Sequence, residues 1–194
     1  SAASDVYKRQ EMISTLMASN LPVLSDHFLV QYILGKLVNQ VTGCELVEDA
    51  NIDEMEDYPF FTFKWIDFDQ EPNADWLGKH RQYICTMQID CHSNSSVQAM
   101  SLARKLFEAL HEVPYRRFFK QAYIVPQSIG NTGDRTTLQG INYDHDFGFD
   151  CSFTVTGGFE FLEKDLNFNV EDYTIESIKG TSSVVGSDTD GAFN

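Results

Sequence analysis

The densest group of chemically capable side chains is Asp144-His145-Asp146, with Asp90 and His92 on an earlier segment as its nearest complement. Carboxylates beside an imidazole are the raw material of metal sites and acid–base pairs, provided their donor atoms converge on one point. In an extended chain neighbours project to opposite faces, so Asp144 and Asp146 share a face and His145 takes the other. The triplet therefore reads first as polar residues opening a strand. The remaining histidines are His27, His80 and His111. Nucleophile signals are missing: there is no G-x-S-x-G elbow, and Cys44, Cys85, Cys91 and Cys151 form no C-x-x-C pair and no zinc spacing. Three of these cysteines fall inside alternating runs, where Cys behaves as a small buried hydrophobe. That pattern points to a reducing compartment without a disulfide framework. Gly130-Asn131-Thr132-Gly133-Asp134-Arg135 has the glycines of a phosphate loop but not its lysine or its following helix, and reads as a shaped turn. Tyr115-Arg116-Arg117-Phe118-Phe119-Lys120 mixes bases with aromatics as single-strand nucleic-acid platforms do. So short a run fits a protein interface better, because Tyr and Arg are enriched there. These residues argue against an enzyme, and no cofactor or metal is expected.

The elements that must position them follow from hydrophobic periodicity. A helix is expected over 25–42, capped by Ser25 or Asp26 and stopped by Gly43. Its apolar residues, among them Phe28, Leu29, Tyr32, Ile33, Leu37, Val38 and Val41, cover most of the circumference, so it reads as held between a sheet and a second surface. Segments 59–68, 82–91 and 146–156 alternate with period two, the mark of strands with one buried and one wet face. A fourth strand is expected over 121–129, placed at an edge by Pro126. Residues 69–80 read as an exposed hairpin loop and 130–140 as a Gly-rich loop. A second helix fits 96–111, with Ser95 and Gln98 as a capping box and Val97, Met100, Ala103, Phe107 and Leu110 as its buried stripe. Residues 114–119 suit a short helical turn. The order predicts an α+β domain: a mostly antiparallel sheet of four to five strands with two main helices packed on one face.

The chain has 194 residues, 42% of them hydrophobic and 15 of them Phe, which is ample for a packed core and excludes disorder throughout. No apolar run approaches the ~18 residues of a membrane span. Fourteen Lys and Arg stand against 29 Asp and Glu, a net charge of −15. So acidic a chain is not held to nucleic acid by net charge, since phosphate binding rests on Lys and Arg. The charge is divided: residues 45–75 hold eleven acids and one base, whereas 79–135 hold eight bases and four acids. Such segments are either solvated surfaces or complementary faces of neighbouring subunits. Residues 1–10, SAASDVYKRQ, resemble sequencing-adaptor read-through and are expected to be a non-native or disordered leader. Residues 11–156 are expected to form one domain. Residues 157–194 form an acidic C-terminal extension, expected to be partly disordered or ordered by a partner. No signal peptide is expected from the N-terminal pattern.

Several motifs have a familiar order. Asp57-Tyr58-Pro59-Phe60-Phe61-Thr62-Phe63-Lys64 resembles the YP(Y/F)-x-T-(Y/F)-K strand of phage neck and tail-terminator proteins. Met87-Gln88-Ile89-Asp90-Cys91-His92-Ser93, followed by the helix around Ala99–Leu106, is similar to their central strand and helix. Gly130–Thr136 and the strand ending Gly148-Phe149-Asp150-Cys151-Ser152-Phe153 resemble their GN-x-x-DRT … GFD-x-x-(F/I) region. Together these matches span about 25–156.

The resemblance implies an α+β virion subunit that closes into a ring, usually a hexamer, in the neck at the tail junction. It would be assembled in the host bacterial cytoplasm, and would cap the tail tube and join it to the head connector or stopper. DNA would pass through its lumen without sequence-specific binding. No catalysis, cofactor or membrane contact is implied. A closing ring needs a heterologous interface, for which Arg104, Lys105, Tyr115, Arg116, Arg117, Asp134 and Arg135 are the candidate residues. The alternatives are another head-completion or tube-like protein, or a small metal-dependent enzyme built on Asp144, His145 and Asp146.

Overall fold

The computed structural model describes residues 23–50, 57–73, 81–139 and 142–170. In chain order these form β1 (Leu24–Ser25), α1 (Asp26–Thr42), β2 (Leu46–Glu48), β3 (Phe60–Asn73), β4 (Gln82–Ser93), α2 (Ser96–Ala109), α3 (Val113–Lys120), β5 (Ile124–Asp134), β6 (Thr137–Gln139), β7 (Asn142–Thr156) and β8 (Glu160–Phe161). The main sheet runs β2-β3-β4-β7-β5, with β6 on another stretch of β7. Among the described residues only the β2–β3 pair is parallel. The α+β architecture read from the sequence is the one observed.

The three helices share one face of the sheet. Helix α1 ends at Gly43, whose φ of 75° lets its N–H reach back to the Asn39 carbonyl at 2.9 Å. Its buried residues, Leu29, Val30, Ile33, Leu34, Leu37 and Val38, form one stripe, and Phe28 is left half in solvent. On the sheet, Phe61, Phe63, Tyr83, Cys85, Met87, Ile89, Cys91, Phe149, Cys151, Phe153 and Val155 complete a single core. All four cysteines are buried. Burial pushes the Cys85 thiol up to about 12 and raises Cys151 as well, so neither is a ready nucleophile.

Helix α2 departs from its expected form in two ways. Its buried face is Ala99, Ala103, Leu106 and Ala109, whereas Val97 and Met100 are 68% and 47% exposed. Small side chains let the helix sit close on β7 and β4, and this overrides the larger residues' hydrophobicity. The capping box does not form. Ser95 is the N-cap but makes no side-chain cap bond, and Gln98 instead accepts a 2.6 Å hydrogen bond from Ser93 Oγ.

Strand β5 lies at the sheet edge, as Pro126 requires. It continues to Asp134 through register shifts at Pro126/Ser128 and Gly130/Gly133, so the expected 130–140 loop is largely strand. The expected loop 69–80 likewise begins as strand, because β3 runs to Asn73; residues 74–80 lie outside the described residues. Residues 157–170 return to the domain. β8 pairs with β1, Leu166 is buried, and Phe168 packs edge-on against Phe118 at 5.2 Å between centroids.

Candidate functional site

The helix-free face of the sheet is not uniformly wet, contrary to the period-two expectation. Near the paired ends of β3, β4 and β7 it buries Phe60, Thr62, Asp90, His92 and Asp146. Register explains how. Phe60 stands opposite His92, which stands opposite Asp146; Thr62 stands opposite Asp90, which stands opposite Gly148; and Gln88 stands opposite Asp150. Polar residues two apart on adjacent strands thus meet in rows on one face.

Arg135, just beyond β5, closes these rows. Its Nη1 donates to Asp90 Oδ1 at 2.6 Å, and its Nη2 donates to Asp150 Oδ1 at 2.9 Å and to the Asn131 carbonyl at 3.0 Å. Gln88 Nε2 donates to Asp90 Oδ2 at 2.5 Å, and Asn131 Nδ2 to Asp150 Oδ2 at 2.7 Å. Both carboxylates therefore have a partner on each oxygen, the condition under which half-buried charges are tolerated. Burial alone would lower the Arg135 pKa, but the facing Asp90 and Asp150 carboxylates raise it. Gly148 makes the arrangement possible: a Cβ there would overlap Asp90 Oδ1 and the Ile89 carbonyl oxygen. Asp134 tightens the approach to Arg135 by accepting hydrogen bonds from the Thr136 backbone N–H at 2.9 Å and from its hydroxyl. Those bonds hold its carboxyl below the ordinary value of 3.8.

Beside this clamp, His92 Nδ1 lies 2.6 Å from Asp146 Oδ1 and His92 Nε2 lies 2.9 Å from Thr62 Oγ1, with Phe60 stacked on the imidazole. Hydroxyl, imidazole and carboxylate in this order resemble a hydrolytic relay. The relay cannot meet a substrate as placed, because Thr62 is 2% and His92 4% exposed. The company expected for Asp146 from Asp90 and His92 is real, but its chemistry is internal satisfaction of polar groups. His145 lines a recess of about 170 Å³ beside Val97 and Met100, and Asp146 borders the same recess. Among the described residues, no three His, Cys, Asp or Glu side chains are grouped to hold a metal ion.

The other candidate residues divide by placement. Arg104 and Lys105 are exposed on α2, Arg104 with an i,i+4 bond to Glu108 at 3.0 Å. Tyr115 is half-buried against Phe118. Arg116 reaches from α3 to the Pro126 carbonyl at 3.1 Å, and Arg117 is exposed beside it. Arg135 and Asp134 are committed within the subunit. Sequence reasoning missed the clamp. Its trace was the polar parity of Gln88, Asp90 and His92 against Asp146 and Asp150, with a glycine at 148.

The surface is electrically divided across the sheet. Exposed Glu45, Glu48 and Asp57 mark the β2–β3 edge, while exposed Arg104, Lys105, Arg116, Arg117 and Lys120 lie on the helices over β7 and β5. Among the described residues, no helix is long and apolar enough to cross a membrane. No match is found among curated proteins. A family model described as "Phage neck terminator protein" matches residues 29–189, which takes in the clamp, α1 from Leu29 onward, α2, α3 and the stretch beyond Gly157 as far as residue 189. With more than half its length matched, the chain belongs to the phage neck terminator protein family, a structural family of virion components rather than an enzymatic one.

Proposed function

We propose that the protein forms a closed ring at the head-proximal end of a phage tail. There it ends tube growth, caps the tail tube protein and presents a surface to the head connector or stopper. One observation supports the assembly reading: exposed acids outnumber bases along the β2–β3 edge, where Lys64 is the exception, and exposed bases outnumber acids on α2 and α3, where Glu108 and Glu112 are the exceptions. A head-to-tail contact between unlike surfaces is what a rotationally closed ring requires. Complementary charge steers and registers such a contact more than it strengthens it. Val97 and Met100, exposed next to Arg104 and Lys105, supply apolar area that charge alone does not. Across the contact, Tyr58, Ile66 and Phe68 are exposed apolar residues on or beside the acidic side. The ring is a hexamer in this reading, and its net negative charge lets DNA pass without being held.

Electron microscopy of the purified full chain across a concentration series tests this. Single closed rings that do not stack are expected. Arg104→Gln with Lys105→Glu should abolish them while changing the thermal stability of the subunit by no more than the exposed Arg104–Glu108 pair contributes. Long tubes would reassign the protein as a tube component. Monomers at every concentration, with no rings on added tail tubes, would overturn the proposal.

A further inference from the structure

A groove of about 810 Å³ lies between α3 and β5, at one edge of the sheet. Val113, Tyr123 and Val125 line it with exposed apolar surface, and Lys120 adds an exposed ammonium. Pro126, also in its lining, has no N–H to offer a further strand, so a partner here is held by side chains.

The opposite edge of the same sheet carries a complementary surface. Strand β2 covers β3 only along Phe61–Phe63, so the rest of β3 to Asn73 is open on that side among the described residues. Its outer part reads Ile66-Asp67-Phe68-Asp69-Gln70-Glu71, with three acids and no base. Ile66 and Phe68 are each more than half exposed. Asp67 accepts a hydrogen bond from Gln70, and Glu71 pairs with Arg81. Asp69 is 47% exposed with only the His27 imidazole near it, at 3.6 Å, and is the acid most open to a partner. Exposed apolar side chains beside an acid match an apolar groove with a cation on its rim.

The two surfaces stand at the same height. Val125 lies opposite Thr154, Thr154 opposite Ile84 and Ile84 opposite Gln70, one row from edge to edge. In the next row Pro126 lies opposite Phe153 and Phe153 opposite Cys85. The shift between Asp67 and Gln70 sets Phe68 and Asp69 against that same Cys85. A closed ring repeats by pure rotation, with no rise from one subunit to the next. About an axis parallel to the strands, such a rotation brings opposite edges together row for row.

We propose that the outer part of β3 in one subunit seats in the α3–β5 groove of a second copy. Ile66 and Phe68 lie against Val113, Tyr123 and Val125, and Asp69 turns toward Lys120. The inference rests on the ring reading above and names its surfaces. It gives α3 a counterpart on β3 and leaves Arg104 and Lys105 of α2 for Glu45 and Glu48 at β2.

The test mixes two full-length preparations, one with Gln70→Cys and one with Val125→Cys, where microscopy shows rings, and adds a short bis-maleimide. The four native cysteines are buried and compete little. A crosslink between unlike chains is expected in the mixture and little in either preparation alone. Phe68→Cys with Val113→Cys is a second pair, should the first not assemble. Lys120→Glu should lower the yield several-fold, and Asp69→Lys in the other preparation should restore it. The control is Glu48→Cys with Val125→Cys, on the same edge but in the row of Phe63 and Ile89. Rings with a yield no higher than the control would overturn the proposal, assign the groove to another occupant and leave the ring reading standing. A crosslink within the Val125→Cys preparation alone would also overturn it, because two grooves would then face each other. Monomers at every concentration, with no crosslink, would overturn both.

Discussion

Replacing Arg135 by methionine keeps an unbranched apolar stem and removes the guanidinium that bridges Asp90 and Asp150. Two carboxylates, with 12% and 23% of their side-chain surface exposed, then face each other across β4 and β7 without a cation. Breaking a fully buried pair from one side costs about 3–5 kcal/mol. Arg135 retains 21% exposure, and Gln88 and Asn131 still donate to the stranded carboxylates. Hydrogen bonds to charged groups are worth about 1.5–3 kcal/mol, which places the expected loss at roughly 2–4 kcal/mol. In a domain of this size that corresponds to a Tm lowered by roughly 5–15 °C. Differential scanning calorimetry measures it directly. The sharper assay is a double-mutant cycle with Asp90→Asn, which removes one stranded charge. The two changes should be non-additive by about 1–2 kcal/mol, since the residues are in direct contact. A Tm within ~2 °C of the parent, or a coupling near zero, would refute the view that the clamp holds this end of the sheet.

Two further outcomes test neighbouring parts of the reasoning. Gly148→Ala should cost about 2–4 kcal/mol in urea unfolding, because the new methyl displaces the Asp90 carboxylate from Arg135 and crowds the Ile89 carbonyl; Gly130→Ala, where a Cβ meets nothing within 4 Å, should cost less and serves as the control. Asp134 has a folded pKa below its ordinary value because Thr136 donates to it. Its contribution is therefore fully present above pH 3.8 and lost as pH falls through the lower folded value. The stability gap between the parent and Asp134→Ala should be flat near neutrality and close in strong acid, and a gap that widens on acidification would contradict this.

Much of the frame was legible in the sequence. Helix α1 was expected over 25–42 and runs over 26–42, because Gly43 is a strong stop and the apolar stripe is long. The edge position of β5 followed from one residue, Pro126, which has no N–H to give a second strand. What escaped had two causes. On α2, hydrophobicity favoured Val97 and Met100 over alanines, but proximity to the sheet selects for small size, which no hydropathy pattern reports. The clamp escaped because it depends on which residue of β4 stands opposite which residue of β7. The sequence shows Gln88, Asp90 and His92 as a polar parity, yet only the register sets Asp90 against Gly148 and His92 against Asp146. For the same reason Gly130–Arg135 read as a turn: the register shift between Gly130 and Gly133, where Asn131 takes a φ of 53°, bends the strand and brings Arg135 back over its neighbours without ending it.

This placement bears on what the family motifs mean. Asn131, Asp134, Arg135, Gly148 and Asp150 carry much of the resemblance; Asn131 and Arg135 both bond Asp150, Asp134 is bonded by Thr136, and Gly148 leaves the room that Asp90 fills, all within the subunit. They report the construction of one end of the sheet, which any member with this register needs whatever it binds. The residues that could choose a neighbour are different ones: Val97, Met100, Arg104 and Lys105 on α2, and Glu45, Glu48 and Asp57 on the opposite side. None of these is held by the clamp, and the exposed Arg104–Glu108 pair is their one side-chain bond among the described residues, so they can vary at little cost to the fold. Changing the clamp should therefore lower stability and ring formation together, whereas changing the α2 surface should remove rings and leave the melting curve close to where it was. Separating those two phenotypes distinguishes a residue that builds the subunit from one that joins it to the next.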